Sequence, residues 1–187
     1  MRNTYFNVFV IALAIFLSVF TYSSLSPEIA IQWNNGEVTN TASKFLGVII
    51  IPAVMIFIYM ILSLLFKTSE KKWNPNNLSK RISIVLVLLL LLSVHIVVLA
   101  SGLGYVMNMD IVGGLIVGIA TMVLSNIMPQ AKSNFIFGLR TPWTLSNEKV
   151  WAVSNRFTGK ILFFAGFLIF ISVLIIPQHH LLSLIHI

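Results

Sequence analysis

Five long apolar runs divide the chain: Tyr5 to Tyr22, Phe45 to Phe66, Ile82 to Ala100, Ile111 to Met128, and Ile161 to Pro177. None of them holds an Asp, Glu, Lys or Arg. A helix crosses the hydrocarbon core of a bilayer with about 20 mostly apolar residues, roughly 17 at the lower end, so each run is long enough. The other structure that satisfies its backbone in lipid, a closed β-barrel, would show alternating segments of about ten residues. These runs are continuous and rich in Leu and Ile, which predicts helices. The expected fold is an all-α integral membrane protein, a bundle of five transmembrane helices. The first run follows Arg2 and exceeds the usual apolar core of a secretory signal. Its small-residue exit, Ser24-Leu25-Ser26, runs into Pro27, so an uncleaved anchor is expected.

Composition narrows the function. Of 187 residues, 58% are apolar and 9% charged, against roughly 25% charged in a soluble domain. A soluble enzyme, a disordered chain and a disulfide-stapled secreted domain are excluded. With no cysteine there is no thiolate nucleophile and no Cys-ligated zinc. The net charge of +7 is segregated between the apolar runs. Lys67, Lys71, Lys72, Lys80 and Arg81 lie between spans two and three. Lys132, Arg140, Lys149, Arg156 and Lys160 lie between spans four and five, and Arg2 precedes span one. The opposite loops carry Lys44 with Glu28, Glu37 and Asp110. Positive charge collects on the inner side of a membrane protein. This predicts a cytoplasmic N-terminus, and an outside C-terminus if there are five spans. The charge is thus a matter of topology, with membrane lipids as partners and no direct contact with nucleic acid. The division expected is a two-span unit over 1–66, a basic cytoplasmic linker over 67–81, a three-span unit over 82–177 and an atypical tail over 178–187.

Within the spans, Gly114 and Gly118 form a small-xxx-small step, and Ala14 and Ser18 a weaker one. Such steps let helices approach closely, and intramolecular packing is expected ahead of dimerisation. Gly113 lies in the same span, and Pro52 interrupts span two. His95 is the strongly ionisable group within a span. With no acidic partner in any span, a neutral His hydrogen-bonded to a neighbouring helix is expected.

Two loops carry the chemistry. The outer loop holds Pro27, Trp33, Asn34, Asn35 and Gly36. Asn35-Gly36 is a turn signal, because both residues tolerate positive φ. Before it, Ile29, Ile31 and Trp33 alternate with Ala30, Gln32 and Asn34, a short extended segment ending in the turn. Trp33 fits either a recognition loop or an interfacial anchor. The inner loop begins Asn134-Phe-Ile-Phe-Gly-Leu-Arg140 and continues Thr141-Pro142-Trp143-Thr144. Ser146 is placed to cap a following helix, with Glu148 in its first turn. From there Val150, Val153, Phe157 and Ile161 recur on one face beside Trp151, while Lys149, Asn155, Arg156 and Lys160 lie mostly off it. An amphipathic helix lying in the inner interface is expected. The stretch from Gly138 to Thr144 has no periodicity and is dense in specialised residues, as if built to hold one conformation. Arg140, whose guanidinium offers five donors in a rigid fork, is expected to organise it together with Trp143.

No His-Glu-x-x-His, Gly-x-Ser-x-Gly, P-loop or intramembrane carboxylate pair is present, so no enzymatic activity, cofactor or metal site is expected. The histidines at 179, 180 and 186 are weak grounds for metal binding. A small transporter or lipid-handling protein is the competing class.

The segment from Asn134 to Ser146, with Val150-Trp151, Asn155-Arg156 and Gly159-Lys160, resembles the signature of the SdpI bacteriocin-immunity family. Pro27, Ile31, Trp33, Asn34, Gly36, Lys44 and Pro52 resemble the small domain that usually precedes it. The resemblance implies a bacterial plasma-membrane protein that protects its producer from a secreted peptide toxin. It further implies that a toxin-bound member holds a cytoplasmic repressor at the membrane. On this resemblance Pro27, Trp33, Asn34, Gly36 and Lys44 are the outer, toxin-recognition candidates. The inner candidates are Asn134, Gly138, Arg140, Thr141, Pro142, Trp143, Thr144, Trp151, Asn155 and Arg156. The chain departs from the family pattern at Gln32, where a His is common. It departs again after Pro177, where the tail is too short for the sixth span the family usually has.

Overall fold

The structure, a computed structural model, describes residues 2–34, 36–73, 77–133 and 137–175. Asn35, Asn134, Pro177 and the tail with His179, His180 and His186 lie outside the described residues. The elements in order are α1 (Arg2–Thr21), β1 (Glu28–Asn34), β2 (Glu37–Ser43), α2 (Lys44–Trp73), α3 (Asn77–Gly102), α4 (Met109–Ile127), α5 (Pro142–Ser146) and α6 (Glu148–Ile175). Short 3₁₀ turns follow α1 at Tyr22–Ser24 and α4 at Met128–Gln130. Five of the helices are long and apolar enough to cross a membrane, matching the five runs in the sequence. Large apolar side chains such as Phe20, Phe57, Val153 and Leu168 point outward from them, as suits a surface that meets lipid. This is a multi-pass helical membrane protein.

The first three spans close around one core. Val10, Ile11 and Ala14 of α1 meet Met55 and Phe66 of α2 and Ile84, Leu88 and Leu92 of α3. A polar link crosses the same layer. Pro52 lies inside α2 and has no N–H to offer the carbonyl of Val48, four residues earlier. The Ser18 hydroxyl of α1 donates to that carbonyl at 2.9 Å. With its one proton so used, Ser18 Oγ accepts from His95 Nε2 of α3, also at 2.9 Å. The carbonyl of Ala14 lies 3.2 Å from the same nitrogen. His95 is fully buried and hydrogen-bonded to α1, as the sequence led us to expect. The backbone group freed by the proline is satisfied by a neighbouring helix, a standard solution in a medium without water.

The outer loop is more structured than the sequence implied. It is a two-stranded antiparallel hairpin, because Glu37–Ser43 pairs back onto the extended segment. Gly36 turns the chain with φ +78°, a conformation open to glycine. The expected alternation of Ile29, Ile31 and Trp33 breaks at its centre. Ile31 and Thr39 have no opposite partner in the register. These bulges leave Ile29 and Ala30 both buried, and Ile31 exposed.

The remaining spans pair through glycines. A methyl group on Gly118 would lie 3.1 Å from the backbone oxygen of Gly166, and one on Gly166 2.9 Å from that of Gly118. Gly114 sits against Val173, and Gly159 against Ser125 and Pro129. The small-residue step in span four therefore packs within the chain, onto α6, while Gly113 faces open space.

Two expectations change. The amphipathic segment is not a separate interfacial helix. It forms the first turns of α6, one unbroken helix of 28 residues, about 42 Å long. Its apolar stripe of Val150, Val153, Phe157 and Ile161 faces outward, and its buried line is Trp151, Asn155 and Gly159. In lipid, apolar side chains gain nothing by turning inward, so close-packing small and polar groups take the interface. Ser146 does not cap this helix. Asn147 does, its Oδ1 accepting from the amides of Lys149 and Val150 at 2.9 and 3.2 Å. The basic segment between spans two and three is largely helical where described, as α2 runs to Trp73 and α3 starts at Asn77.

Candidate functional site

The two loops singled out in the sequence lie at opposite ends of the bundle. At one end, the hairpin is seated on the helix tips. Ile29 is completely buried, filling a gap between Gly47 of α2 and Gly102 of α3. A methyl on Gly47 would come within 3.1 Å of Ile29, and one on Gly102 within 3.2 Å of it and 2.7 Å of Leu25. Ser26 donates its amide to the Gly102 carbonyl at 3.0 Å, and its hydroxyl lies 3.1 Å from the same oxygen. Leu25, Ile29, Val48, Val98 and Leu99 form the core beneath.

The outer candidates separate into two groups. Pro27 and Lys44 meet at the hairpin base, where the Lys44 amide donates to the Pro27 carbonyl at 2.9 Å. The Lys44 ammonium sits 4.8 Å from the centre of the Tyr22 ring, within cation–π range. Trp33, Asn34 and Gly36 lie at the tip. Six steps of extended chain, roughly 20 Å, separate base from tip. Trp33 is half-buried and packs against the core beneath the hairpin, while Asn34 and Gly36 are exposed. Gly47 and Gly102, the two glycines that receive Ile29, escaped the sequence reading. A glycine at each apolar-run boundary was the available signal.

At the other end, the inner motif forms a closed hydrogen-bonded loop. Gly138 has φ +119°, and a methyl there would lie 2.7 Å from Asn155 Oδ1 and 2.8 Å from the Trp151 ring. Only glycine allows both the backbone angle and that approach. The next amide, Leu139, donates to Asn155 Oδ1 at 2.7 Å. Asn155 Nδ2 donates to the Trp151 carbonyl at 3.0 Å, one turn earlier in α6. Trp151 Nε1 reaches the Ala131 carbonyl at 2.7 Å, tying α6 to the segment after α4.

Thr141-Pro142-Trp143-Thr144 then starts α5 with a reciprocal cap. Thr141 Oγ1 accepts from the Thr144 amide at 3.1 Å, and Thr144 Oγ1 accepts from the Thr141 amide at 2.8 Å. This is a capping box in which threonine replaces the usual Glu or Gln. The Thr144 hydroxyl lies 2.9 Å from the Leu139 carbonyl, so its proton closes the loop. Pro142 occupies the first helical turn, where its missing N–H is not needed.

Thus Gly138, Thr141, Thr144, Trp151 and Asn155 come together as one framework, half-buried at Gly138 and Thr141 and buried at the other three. Arg140, Pro142, Trp143 and Arg156 lie on its surface, with Trp143 73% exposed. Thr141, Thr144 and Asn155 supply bonds that shape the loop. Arg140 and Trp143 are presented outward by that framework. Ala131, Leu139 and Asn147 contribute backbone or capping groups that composition could not single out.

The arrangement has relatives. A curated protein, "Immunity protein SdpI" of Bacillus subtilis (strain 168), is 35% identical over 170 residues, covering 90% of this chain and 80% of that protein. The chain belongs to the SdpI family. Residues 130–187 match the SdpI/YfhL protein family, and residues 9–56 match a domain of unknown function, DUF1648. The first match contains the threonine-capped loop and α6. The second contains the hairpin, Ser18, Val48 and Pro52. No solved structure matches the chain.

Proposed function

We propose that this chain is an immunity protein of a bacterial plasma membrane, protecting the cell that makes it from a secreted peptide toxin. The observation that carries this reading is the 35% identity over 90% of the chain to an immunity protein. The charge distribution supports an orientation with the N-terminus and the threonine-capped loop in the cytoplasm and the hairpin outside. In that orientation the hairpin surface around Trp33, Asn34 and Gly36 is where a toxin arriving from outside first meets the protein. The base, Pro27 and Lys44, lies nearer the membrane. The finer reading is that the chain also senses toxin. On that reading Arg140, Trp143 and Arg156, held outward on the inner loop, form the surface that engages a cytoplasmic repressor. No catalytic step enters this function.

The test is a toxin challenge. Sensitive cells expressing the chain should survive a peptide that kills the parent strain, with unchanged uptake and efflux of labelled peptide. Unchanged killing at normal membrane abundance overturns the immunity reading, and altered peptide flux favours transport. Sensing is tested separately, by whether toxin moves a tagged repressor from the cytoplasm to the membrane. Arg140→Ala should abolish that recruitment, and recruitment that persists overturns the assignment of this surface.

A further inference from the structure

A cleft of about 640 Å³ runs between α1 and α2 on their outward side. Ile15 and Val19 form one wall, and Phe45, Ile49, Ala53 and Ile56 the other. Ser18 is part of the lining, yet its hydroxyl is committed to the Val48 carbonyl and to His95. Pro52, also in the lining, has no N–H to offer. Apart from Tyr22 at the hairpin end, the walls are therefore apolar in what they present and suit a hydrocarbon chain. From Phe45 to Ile56 the helix rises about 16 Å, close to the roughly 15 Å depth of one leaflet's hydrocarbon. At the hairpin end the cleft stops at Tyr22, with the Lys44 ammonium 4.8 Å from its ring. Lys44 is the cation among the described residues of this end, and its charge suits a phosphate.

We propose that the α1–α2 cleft binds one acyl chain of an anionic phospholipid, with its phosphate held at Lys44. The site is independent of the immunity reading, since it needs only the cleft and its cation. Its position places the lipid against the Ser18–Val48 link, on the face of the helix pair opposite the core.

The experiment is native mass spectrometry of the purified full chain in mild detergent. It is titrated with phosphatidylglycerol or phosphatidylcholine of identical acyl chains. One phosphatidylglycerol should be retained with about fivefold preference, the ratio that a single cation beside an anionic headgroup contributes. Lys44→Gln should remove the preference while leaving weak binding of both lipids. Ala53→Trp, which fills the cleft from an exposed position, should remove the bound lipid. Should that variant fail to accumulate, Ile56→Trp blocks the deep end from a side chain already exposed. Equal retention of the two lipids overturns the proposal and leaves ordinary shell lipid. So does retention that both cleft-filling variants leave unchanged. Displacement of no lipid alongside loss of toxin protection in Ala53→Trp also overturns it, in favour of a peptide occupant.

Discussion

Asn155 is the residue on which the inner loop turns, and its replacement can be worked through quantitatively. It is 1% exposed, accepts from the Leu139 amide at 2.7 Å and donates to the Trp151 carbonyl at 3.0 Å. Asn155→Leu keeps the same branching and number of side-chain heavy atoms, so no cavity opens, while its bulkier methyls cannot accept from the Leu139 amide. The Trp151 carbonyl lies within α6 and retains its place in the helix ladder. The Leu139 amide loses its acceptor where Gly138 has already fixed the backbone. A donor left unsatisfied in this way costs about 1–3 kcal/mol. Taking about 2 kcal/mol, the equilibrium for opening the loop shifts roughly 30-fold.

The measurement is hydrogen exchange of the peptide containing Leu139, read by mass spectrometry in detergent. Exchange there should accelerate about 30-fold in Asn155→Leu, while the β1–β2 hairpin at the far end keeps its wild-type rate. Val153→Ala, which changes an exposed side chain of α6, should leave exchange at Leu139 unaltered. If the Leu139 peptide exchanges at the wild-type rate in Asn155→Leu, the loop is not held by this bond and the framework described above is wrong.

Further expectations follow from the other contacts. Ser18→Ala strips the Val48 carbonyl of its partner and should destabilise the chain by about 1–3 kcal/mol. Adding Pro52→Ala restores an N–H four residues on and should recover most of that loss, and a double-mutant cycle in detergent without recovery refutes the link. Gly118→Leu should split α4 from α6 and abolish membrane accumulation on immunoblots, whereas Gly113→Leu, facing open space, should accumulate normally. Ile29→Ala empties a fully buried site and should cost about 2–5 kcal/mol. Protease nicking at the hairpin should rise accordingly, and wild-type resistance would show that Ile29 does not seat it. A cysteine placed at Glu148 should react with an impermeant reagent only after the cells are opened, and one at Asn40 should react in intact cells. The reverse pattern inverts the proposed orientation.

The five helices were legible because lipid demands long uninterrupted apolar runs, and nothing else in the chain competes with that signal. The paired glycines of span four were legible for the same reason, since a small residue in an apolar run has few uses besides close approach. The second hairpin strand was not. Its sequence, Glu-Val-Thr-Asn-Thr-Ala-Ser, carries no apolar alternation, because all but one of its residues are exposed. The apolar stripe at the start of α6 was visible, but its direction was misjudged by the logic of water-soluble proteins. Inside a bilayer the informative period is that of Trp151, Asn155 and Gly159, the unlike residues rather than the greasy ones. In the inner loop, the density of specialised residues marked a stretch that folds into one hydrogen-bonded loop. It did not divide the labour, because framework and surface residues alternate along the chain: Thr141 and Thr144 bond inward, while Arg140 and Trp143 between and beside them face out.

The continuity of α6 has a mechanical consequence. A hinge between an interfacial helix and a span would let each end move alone, but the described helix has none from Glu148 to Ile175. The loop is bolted to its first turns through Trp151 and Asn155. A rod about 42 Å long that tilts by 10° carries its end through roughly 7 Å. Any event that leans the far end of α6 therefore sweeps Arg140 and Trp143 across the membrane surface as a rigid piece, with no loop to absorb the stroke.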